Sequence, residues 1–152
     1  MAERGLDHWI TEYWDTALAR WVRIDSEILG TGHVDRPEDL APGEFVTGGE
    51  AWVQYRSGLI DPDVFGVTGT GHAWGRAEIS GNAVRDPAVL CKLGTLPWDG
   101  GGRMTAAYED KTGPGYDRLI DTVAAVCARD DPLSLTRLFA YEDLAVPQRI
   151  VG

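Results

Sequence analysis

Two short segments near the start of the chain are rich in aromatic and β-branched residues. Residues His8–Trp14 (HWITEYW) and Trp21–Asp25 (WVRID) have the composition typical of strands, and Asp15–Arg20 connects them. The pattern predicts an antiparallel β-hairpin. Because a two-stranded hairpin is only marginally stable alone in water, we expect its apolar face to pack on helices, on further strands or on another chain.

The segment that follows Gly30–Pro42, a loop punctuated by glycine, proline and acids, begins with a helix-start signal. Thr47 and Glu50 have the spacing of a capping box, which predicts a helix that ends at Gly58 in a left-handed cap. Asp61-Pro62 then predicts a short helical turn with proline at its first position.

The remaining helices are predicted from periodicity and from their caps. A helix over His72–Val84 is interrupted by two glycines, and Pro87–Leu93 is expected to continue it after a break at Asp86-Pro87. Tyr116–Arg129 has the apolar spacing of an amphipathic helix, and Ser134 is a suitable N-cap for a last helix to about Tyr141. The predicted fold class is therefore α+β, an N-terminal hairpin followed by four or five helices.

Length and composition favour one globular domain. The chain has 152 residues, of which 43% are hydrophobic and 25% charged. We expect a single domain over 1–152, with the hairpin in 1–30 and a mainly helical extension in 31–152. The start of the sequence has no apolar run that would predict a secretory signal, and no segment is long and apolar enough for a membrane span, so the expected location is the cytoplasm.

The charge balance disfavours nucleic acid as a partner. The 24 acidic and 14 basic residues give a formal net charge of −10, whereas nucleic-acid affinity depends on lysine and arginine contacts with phosphates. Cys91 and Cys127 lie in apolar stretches with no cluster of metal ligands nearby, and are interpreted as buried free thiols. We predict no metal and no cofactor.

The hairpin brings one histidine close to one carboxylate. If Tyr13 pairs with Val22, then His8 and Asp25 lie on one face as diagonal neighbours, about 7–8 Å apart at Cα. A carboxylate at that position can orient an imidazole and raise its basicity, as in a catalytic triad. The alternative interpretation is a hydrogen-bonded pair that only orders a sheet edge.

The sequence DHWITEYWD…RWVRIDSE resembles the histidine and aspartate strands of bacterial transglutaminase-like proteins. DLAPGEFVTGGEAWVQYRSGLIDPDVFGV, RAEISGNAVRD and KLGTLPWD are similar to a helical extension found in one bacterial subgroup. The resemblance implies that His8 is a general base, that Asp25 orients it, and that the fold is a truncated transglutaminase-like core.

The chain departs from the family at the nucleophile. In that family a cysteine upstream of the histidine strand attacks the substrate, but no cysteine precedes His8, and both Cys91 and Cys127 follow Asp25. An imidazole–carboxylate pair cannot replace the thiolate that forms the covalent intermediate. We therefore expect no standard Cys-His-Asp chemistry, although the pair remains able to act as a general base on substrate or water.

Further polar and aromatic residues are candidates for ligand binding. Glu12 and Glu27 flank the predicted dyad, while Glu78, Asn82 and Arg85 fall at i, i+4 and i+7 on one helical face. That face points either to a pocket or to solvent. The six tryptophans are interpreted as core or interface anchors, and Trp74 is included as a binding candidate. His72, in GTGHAWG, has no identified partner and is interpreted as a loop or helix-start residue.

Three functions follow from these observations. The preferred one is a non-catalytic binding or accessory subunit whose hairpin is covered by a partner enzyme chain or by a second copy of the chain. The second is an enzyme of altered mechanism that uses His8 and Asp25 as a general-base pair on a small-molecule or carrier-bound substrate. By analogy with small relatives, both suit bacterial specialised-metabolite biosynthesis. A DNA-associated or resistance role is the least favoured, because of the net charge.

Overall fold

A computed structural model describes residues 5–6, 8–67, 69–90, 108–109 and 111–128 of the chain. Two compact units are present: a hairpin unit, Asp7–Val46, and a helical unit formed by Met1–Leu6 and Thr47–Gly152. A small antiparallel sheet and three α-helices lie in the described residues, so the predicted α+β class is confirmed. The prediction of a single domain over 1–152 stays a prediction.

The hairpin unit contains strands β2 (Thr11–Asp15) and β3 (Arg20–Ile24), which pair in antiparallel fashion. Tyr13 pairs with Val22, so the predicted register is confirmed. The first strand is shorter than predicted, since it begins at Thr11 rather than at His8. The regular ladder stops there because the Asp25 amide donates to the Pro37 carbonyl oxygen at 2.8 Å, and no longer belongs to the hairpin.

The second edge of β3 is partly covered by the segment that follows it. The Leu40 amide donates to the Arg23 carbonyl oxygen at 2.9 Å, beside the bond between Asp25 and Pro37. Val22 and Leu40 are buried and form the small apolar centre of this unit. Among the described residues β2 pairs only with β3, so β2 is the edge strand of the hairpin.

Helix α1 (Gly48–Arg56) begins with the capping box that the sequence predicts. The Thr47 hydroxyl accepts from the Glu50 amide at 3.2 Å, and the Glu50 carboxylate accepts from the Thr47 amide at 2.8 Å. The chain then leaves the helix through Gly58, whose φ of +71° confirms the left-handed cap.

A 3₁₀-helix over Pro62–Val64 confirms the predicted turn, with Asp61 as its N-cap. Strand β4 (Phe65–Gly66) follows it and pairs in parallel with β1 (Gly5–Leu6), within the helical unit.

Helix α2 (Gly75–Leu90) differs from the prediction in two places, at Gly75 and at Pro87. It begins at Gly75 rather than at His72, because the φ of +62° at Gly75 is incompatible with a helix interior. It also continues through Pro87, so the break expected at Asp86-Pro87 was wrong. Pro87 removes one hydrogen bond to the Ala83 carbonyl near the helix end, and its complete burial offsets that cost.

Helix α3 (Tyr116–Cys127) confirms the predicted amphipathic helix, ending two residues earlier than predicted. It packs on α1 and α2 around a shared apolar core. The residues of that core include Trp52, Ile79, Ala83, Ile120, Val123 and Ala124.

The crossing of α1 and α2 depends on a glycine. A Cβ atom at Gly48 would lie within 2.6 Å of the Ala83 backbone nitrogen, so only glycine allows the backbones to approach this closely. The neighbouring Gly49 amide donates to Asp86 Oδ2 at 2.5 Å, which joins the start of α1 to the end of α2.

Several sequence-based predictions lie outside the described residues: the helix from Ser134 to Tyr141, the end of Pro87–Leu93, and the position of Cys91. The predicted number of four or five helices therefore stays a prediction. In the part of the chain that the structure describes, no helix is long and apolar enough to cross a membrane.

Candidate functional site

The hairpin unit places His8 against Asp25. His8 Nε2 lies 2.6 Å from Asp25 Oδ2, and Asp25 is buried. The other carboxylate oxygen, Oδ1, accepts from the Glu27 amide at 3.0 Å and from the Ile28 amide at 3.3 Å. These backbone donors fix the carboxylate plane, so the orientation of His8 is set by a rigid acceptor.

Glu27 lies at the other side of the imidazole. Its Oε2 atom is 3.5 Å from His8 Nδ1, and 78% of the Glu27 side chain is exposed. Both ring nitrogens of His8 thus face a carboxylate. In a catalytic triad the second nitrogen faces the nucleophile instead. The sequence of the hairpin unit contains no cysteine that could take the place of Glu27.

Glu12 does not join this pair. It lies opposite Arg23 in the hairpin, and the Arg23 Nε atom donates to Glu12 Oε1 at 2.7 Å. Arg23 Nη1 also donates to the Phe45 carbonyl oxygen at 3.4 Å. Glu12 therefore forms an ion pair with Arg23, and Arg23 in turn holds the 42–46 segment on the hairpin.

Large apolar side chains are exposed beside the edge strand. Trp9 is 38% exposed, Tyr13 in β2 is 46% exposed, and Leu18 in the turn is 57% exposed. On the strands, Trp14 and Trp21 pack edge to face with ring centroids 5.6 Å apart. Because consecutive strand residues alternate between faces, Tyr13 lies on the face opposite this tryptophan pair.

The helical unit brings Glu78, Asn82 and Arg85 of α2 together, as the helical spacing predicts. Asn82 Nδ2 donates to Glu78 Oε1 at 3.0 Å, and Arg85 Nη1 donates to Asn82 Oδ1 at 2.7 Å. Glu78 is buried, so this face of α2 points to the interior rather than to solvent.

Tyr108 completes the cluster and was not predicted. Its hydroxyl donates to Glu78 Oε2 at 3.0 Å and accepts from Arg85 Nη1 at 3.4 Å. Burial and the nearby charge of Glu78 raise the pKa of Tyr108 far above its usual range, which keeps the hydroxyl protonated. We call Glu78, Asn82, Arg85 and Tyr108 the polar cluster.

The only sequence signal for Tyr108 is indirect. Gly81 lies in the middle of α2, where a glycine is unfavourable unless another group must approach closely. A Cβ atom there would overlap the Tyr108 hydroxyl and ring. His72 also contacts this tyrosine, with ring centroids 6.0 Å apart in an edge-to-face arrangement.

Trp74 has a structural role. Its Nε1 atom donates to the Asp63 carbonyl oxygen at 2.9 Å, and its ring lies over Gly66, where no Cβ would fit. It thus ties the 3₁₀-helix and β4 to the start of α2, where the Trp74 carbonyl oxygen accepts from the Glu78 amide at 3.5 Å.

An open cavity of about 350 Å³ lies at the end of α1. Two of its lining residues form an ion pair, since Arg56 binds Asp121 through two hydrogen bonds, and Arg56 also pairs with Asp117, which pairs in turn with Arg76. Trp52 Nε1 also donates to Asp121 Oδ1 at 2.8 Å. The cavity is lined by Trp52, Val53, Arg56, Ser57 and Asp121.

In the described parts of the chain, no three or more histidine, cysteine or acidic side chains are grouped to hold a metal ion. Comparisons with protein-family models, with curated proteins and with solved structures each find no match to this chain.

Proposed function

We propose that this chain is a non-catalytic binding or accessory subunit of transglutaminase-like ancestry, and that its hairpin unit docks a partner. The edge strand β2 carries this proposal. Among the described residues its outer edge has no strand beside it, and Trp9, Tyr13 and Leu18 are exposed nearby. Edge strands with exposed apolar residues are templates for pairing with another chain.

The environment of His8 supports a role without covalent catalysis. Asp25 and Glu27 each face one ring nitrogen, at 2.6 and 3.5 Å, so neither nitrogen is directed at a substrate atom in this arrangement. Such a histidine fixes the ends of the hairpin by joining the segment before β2 to the segment after β3. A stable hairpin is what a docking surface requires.

The proposed occupant is a partner enzyme chain or a second copy of this chain, in a bacterial specialised-metabolite pathway. The test introduces a charge on the exposed strand, Tyr13→Lys, because lysine on an edge strand opposes pairing. Leu59→Lys is the matched control, since Leu59 is an exposed leucine of the helical unit.

Sedimentation velocity of the full chain, from low to high micromolar concentration, measures self-association. Affinity capture with the tagged chain, followed by mass spectrometry, identifies other partners. We expect a dimer or a specific partner that Tyr13→Lys abolishes and Leu59→Lys retains. A monomer at high micromolar concentration, without any partner that distinguishes the two variants, would contradict the proposal.

The rigid bond between Asp25 and His8 favours one second candidate, an enzyme that uses His8 as a general base. It requires the exposed Glu27 side chain to turn away from Nδ1. Hydrolysis of p-nitrophenyl acetate tests it, because general-base catalysis contributes roughly 10²–10⁴-fold in rate. If His8→Gln hydrolyses the ester as fast as the unmodified chain, this mechanism is excluded.

A further inference from the structure

Arg85 uses only one of its three guanidinium nitrogens for contacts with the described residues. Nη1 donates to Asn82 Oδ1 at 2.7 Å and to the Tyr108 hydroxyl at 3.4 Å, and it lies 3.8 Å from Glu78 Oε1. The guanidinium carbon is also 6.0 Å from the centre of the Tyr108 ring. The polar cluster therefore holds one end of the guanidinium in a defined orientation.

The opposite edge of the same group is not satisfied. Arg85 Nε is buried without a hydrogen-bond partner, although only 11% of the side chain is exposed. A buried donor of a charged group that makes no hydrogen bond destabilises the fold, because the group has lost its water without gaining a protein acceptor. Nε and Nη2 form the planar edge with which arginine binds two oxygens of a carboxylate or phosphate.

In Arg56, which belongs to the same unit, the Nε–Nη2 edge binds a carboxylate. Its Nε donates to Asp121 Oδ1 at 2.8 Å and its Nη2 donates to Asp121 Oδ2 at 3.1 Å. Arg85 has the same edge with no carboxylate of the described residues against it, while its Nη1 end is held by three neighbours. Arg85 is therefore fixed at Nη1, whereas its buried Nε keeps an unused donor.

We infer that the Nε–Nη2 edge of Arg85 is a binding site for a carboxylate group of a small ligand. The polar cluster positions the guanidinium, and the ligand supplies the acceptor that Nε lacks. A singly charged carboxylate is favoured over a doubly charged phosphate, because the Glu78 carboxylate lies 3.8 Å from Nη1 and repels additional negative charge. This site belongs to the helical unit, whereas the docking surface proposed above belongs to the hairpin unit.

Arginine Nε–Hε resonances in ¹H–¹⁵N NMR spectra of the full chain report directly on this edge. Sodium acetate and inorganic phosphate are titrated separately at constant ionic strength. We expect the Arg85 Nε–Hε signal to shift and saturate with acetate at a dissociation constant of roughly millimolar order, equivalent to about 4 kcal/mol. The Arg56 signal is the internal control and should stay in place, since Asp121 already occupies its edge.

Arg85→Lys keeps the charge and removes the edge, so amide shifts around α2 caused by acetate should disappear in that variant and persist in Arg56→Lys. The titration of the unmodified chain stands even if a variant fails to fold. A linear shift without saturation, or equal shifts for Arg85 and Arg56, would overturn the site. Saturation with phosphate alone would overturn its assignment to carboxylates.

Discussion

Two buried carboxylates, one in each unit, are stabilised in different ways at the level of single residues. Asp25 is held by the amides of Glu27 and Ile28 and by His8, so most of its donors come from the local backbone. Glu78 has side-chain donors, Asn82 one turn away and Tyr108 from a distant segment. The polar cluster is thus the more sensitive of the two to a single substitution.

Tyr108→Phe tests that sensitivity. The change removes one donor from the buried Glu78 carboxylate while keeping the ring, and we expect the free energy of unfolding to fall by about 1–3 kcal/mol at neutral pH. Urea unfolding followed by circular dichroism measures it. Tyr55→Phe is the control, because the Tyr55 ring packs on Trp52 but its hydroxyl makes no hydrogen bond among the described residues; an equal loss in both variants would contradict the role of Tyr108.

Tyr108→Phe should also change how the free energy of unfolding depends on pH. The pKa of Tyr108 is raised in the folded chain by burial and by Glu78, whereas in the unfolded chain it is about 10. Above pH ~10 the unfolded state therefore loses a proton that the folded state retains, and stability falls as pH rises. Tyr108→Phe should lack this part of the alkaline loss, so its difference from the unmodified chain should shrink above pH ~10.

At the scale of elements, the correct predictions come mostly from signals between residues that are close together in the sequence. The capping box of α1, the cap at Gly58 and the pairing of Tyr13 with Val22 each depend on residues fewer than ten positions apart, and all are confirmed. Contacts between segments that are far apart along the chain have no comparable pattern in the sequence. The bond from Tyr108 to Glu78 spans 30 positions, and nothing in their spacing indicates it.

The error at Pro87 has the same origin. Proline and its preceding residue normally disfavour a continuing helix, which is a local rule. Pro87 is completely buried, and Asp86 accepts from the Gly49 amide of another helix. Tertiary packing that the sequence does not display thus holds the last turn of α2 in place.

The capping box provides a direct test of a local signal. Thr47→Ala leaves the Glu50 amide without its side-chain acceptor, and we expect a loss of about 1 kcal/mol in the free energy of unfolding. Thr47→Ser retains a hydroxyl at the same position and should lose much less. Chemical denaturation of the two variants separates the hydrogen bond from the methyl group; similar losses for serine and alanine would contradict the capping role.

The crossing of α1 and α2 provides a test of a tertiary signal. Gly48→Ala places a methyl group against the backbone of Asn82 and Ala83, which cannot move aside as a side chain end could. We expect destabilisation by about 1–3 kcal/mol, as for other overpacked contacts. Gly71→Ala is the control, because a Cβ there meets no atom within 4 Å, and thermal unfolding that gives equal shifts for both would refute the close approach.

At the scale of the whole molecule, the net charge of −10 means that acidic groups determine how stability changes at low pH. Many of these carboxylates are exposed, but a few are tied into ion pairs that join separate elements. Asp121 of α3 is bound to Trp52 and Arg56 of α1. Its protonation therefore acts on the packing of α1 against α3, and not only on the surface.

The direction of that effect follows from the pKa of Asp121. Burial raises this pKa, but the hydrogen bonds from Arg56 and Trp52 lower it by more, so the net pKa lies below its ordinary value. A carboxyl group with a depressed folded-state pKa stabilises the fold above its unfolded pKa of about 4, and this stabilisation is lost as pH falls through the folded value. Acidification below pH ~4 should therefore weaken the helical unit.

Asp121→Asn isolates this contribution. The variant should be less stable than the unmodified chain at neutral pH, because asparagine cannot supply the charge that Arg56 pairs with, and its stability should decline less steeply between pH ~5 and pH ~3. Glu109→Gln is the control, since among the described residues Glu109 forms an exposed ion pair with Lys111 and no other ion pair. If urea unfolding across this range gives parallel curves for Asp121→Asn and the unmodified chain, the ion pair between α1 and α3 does not govern acid stability, and the loss must come from the remaining carboxylates.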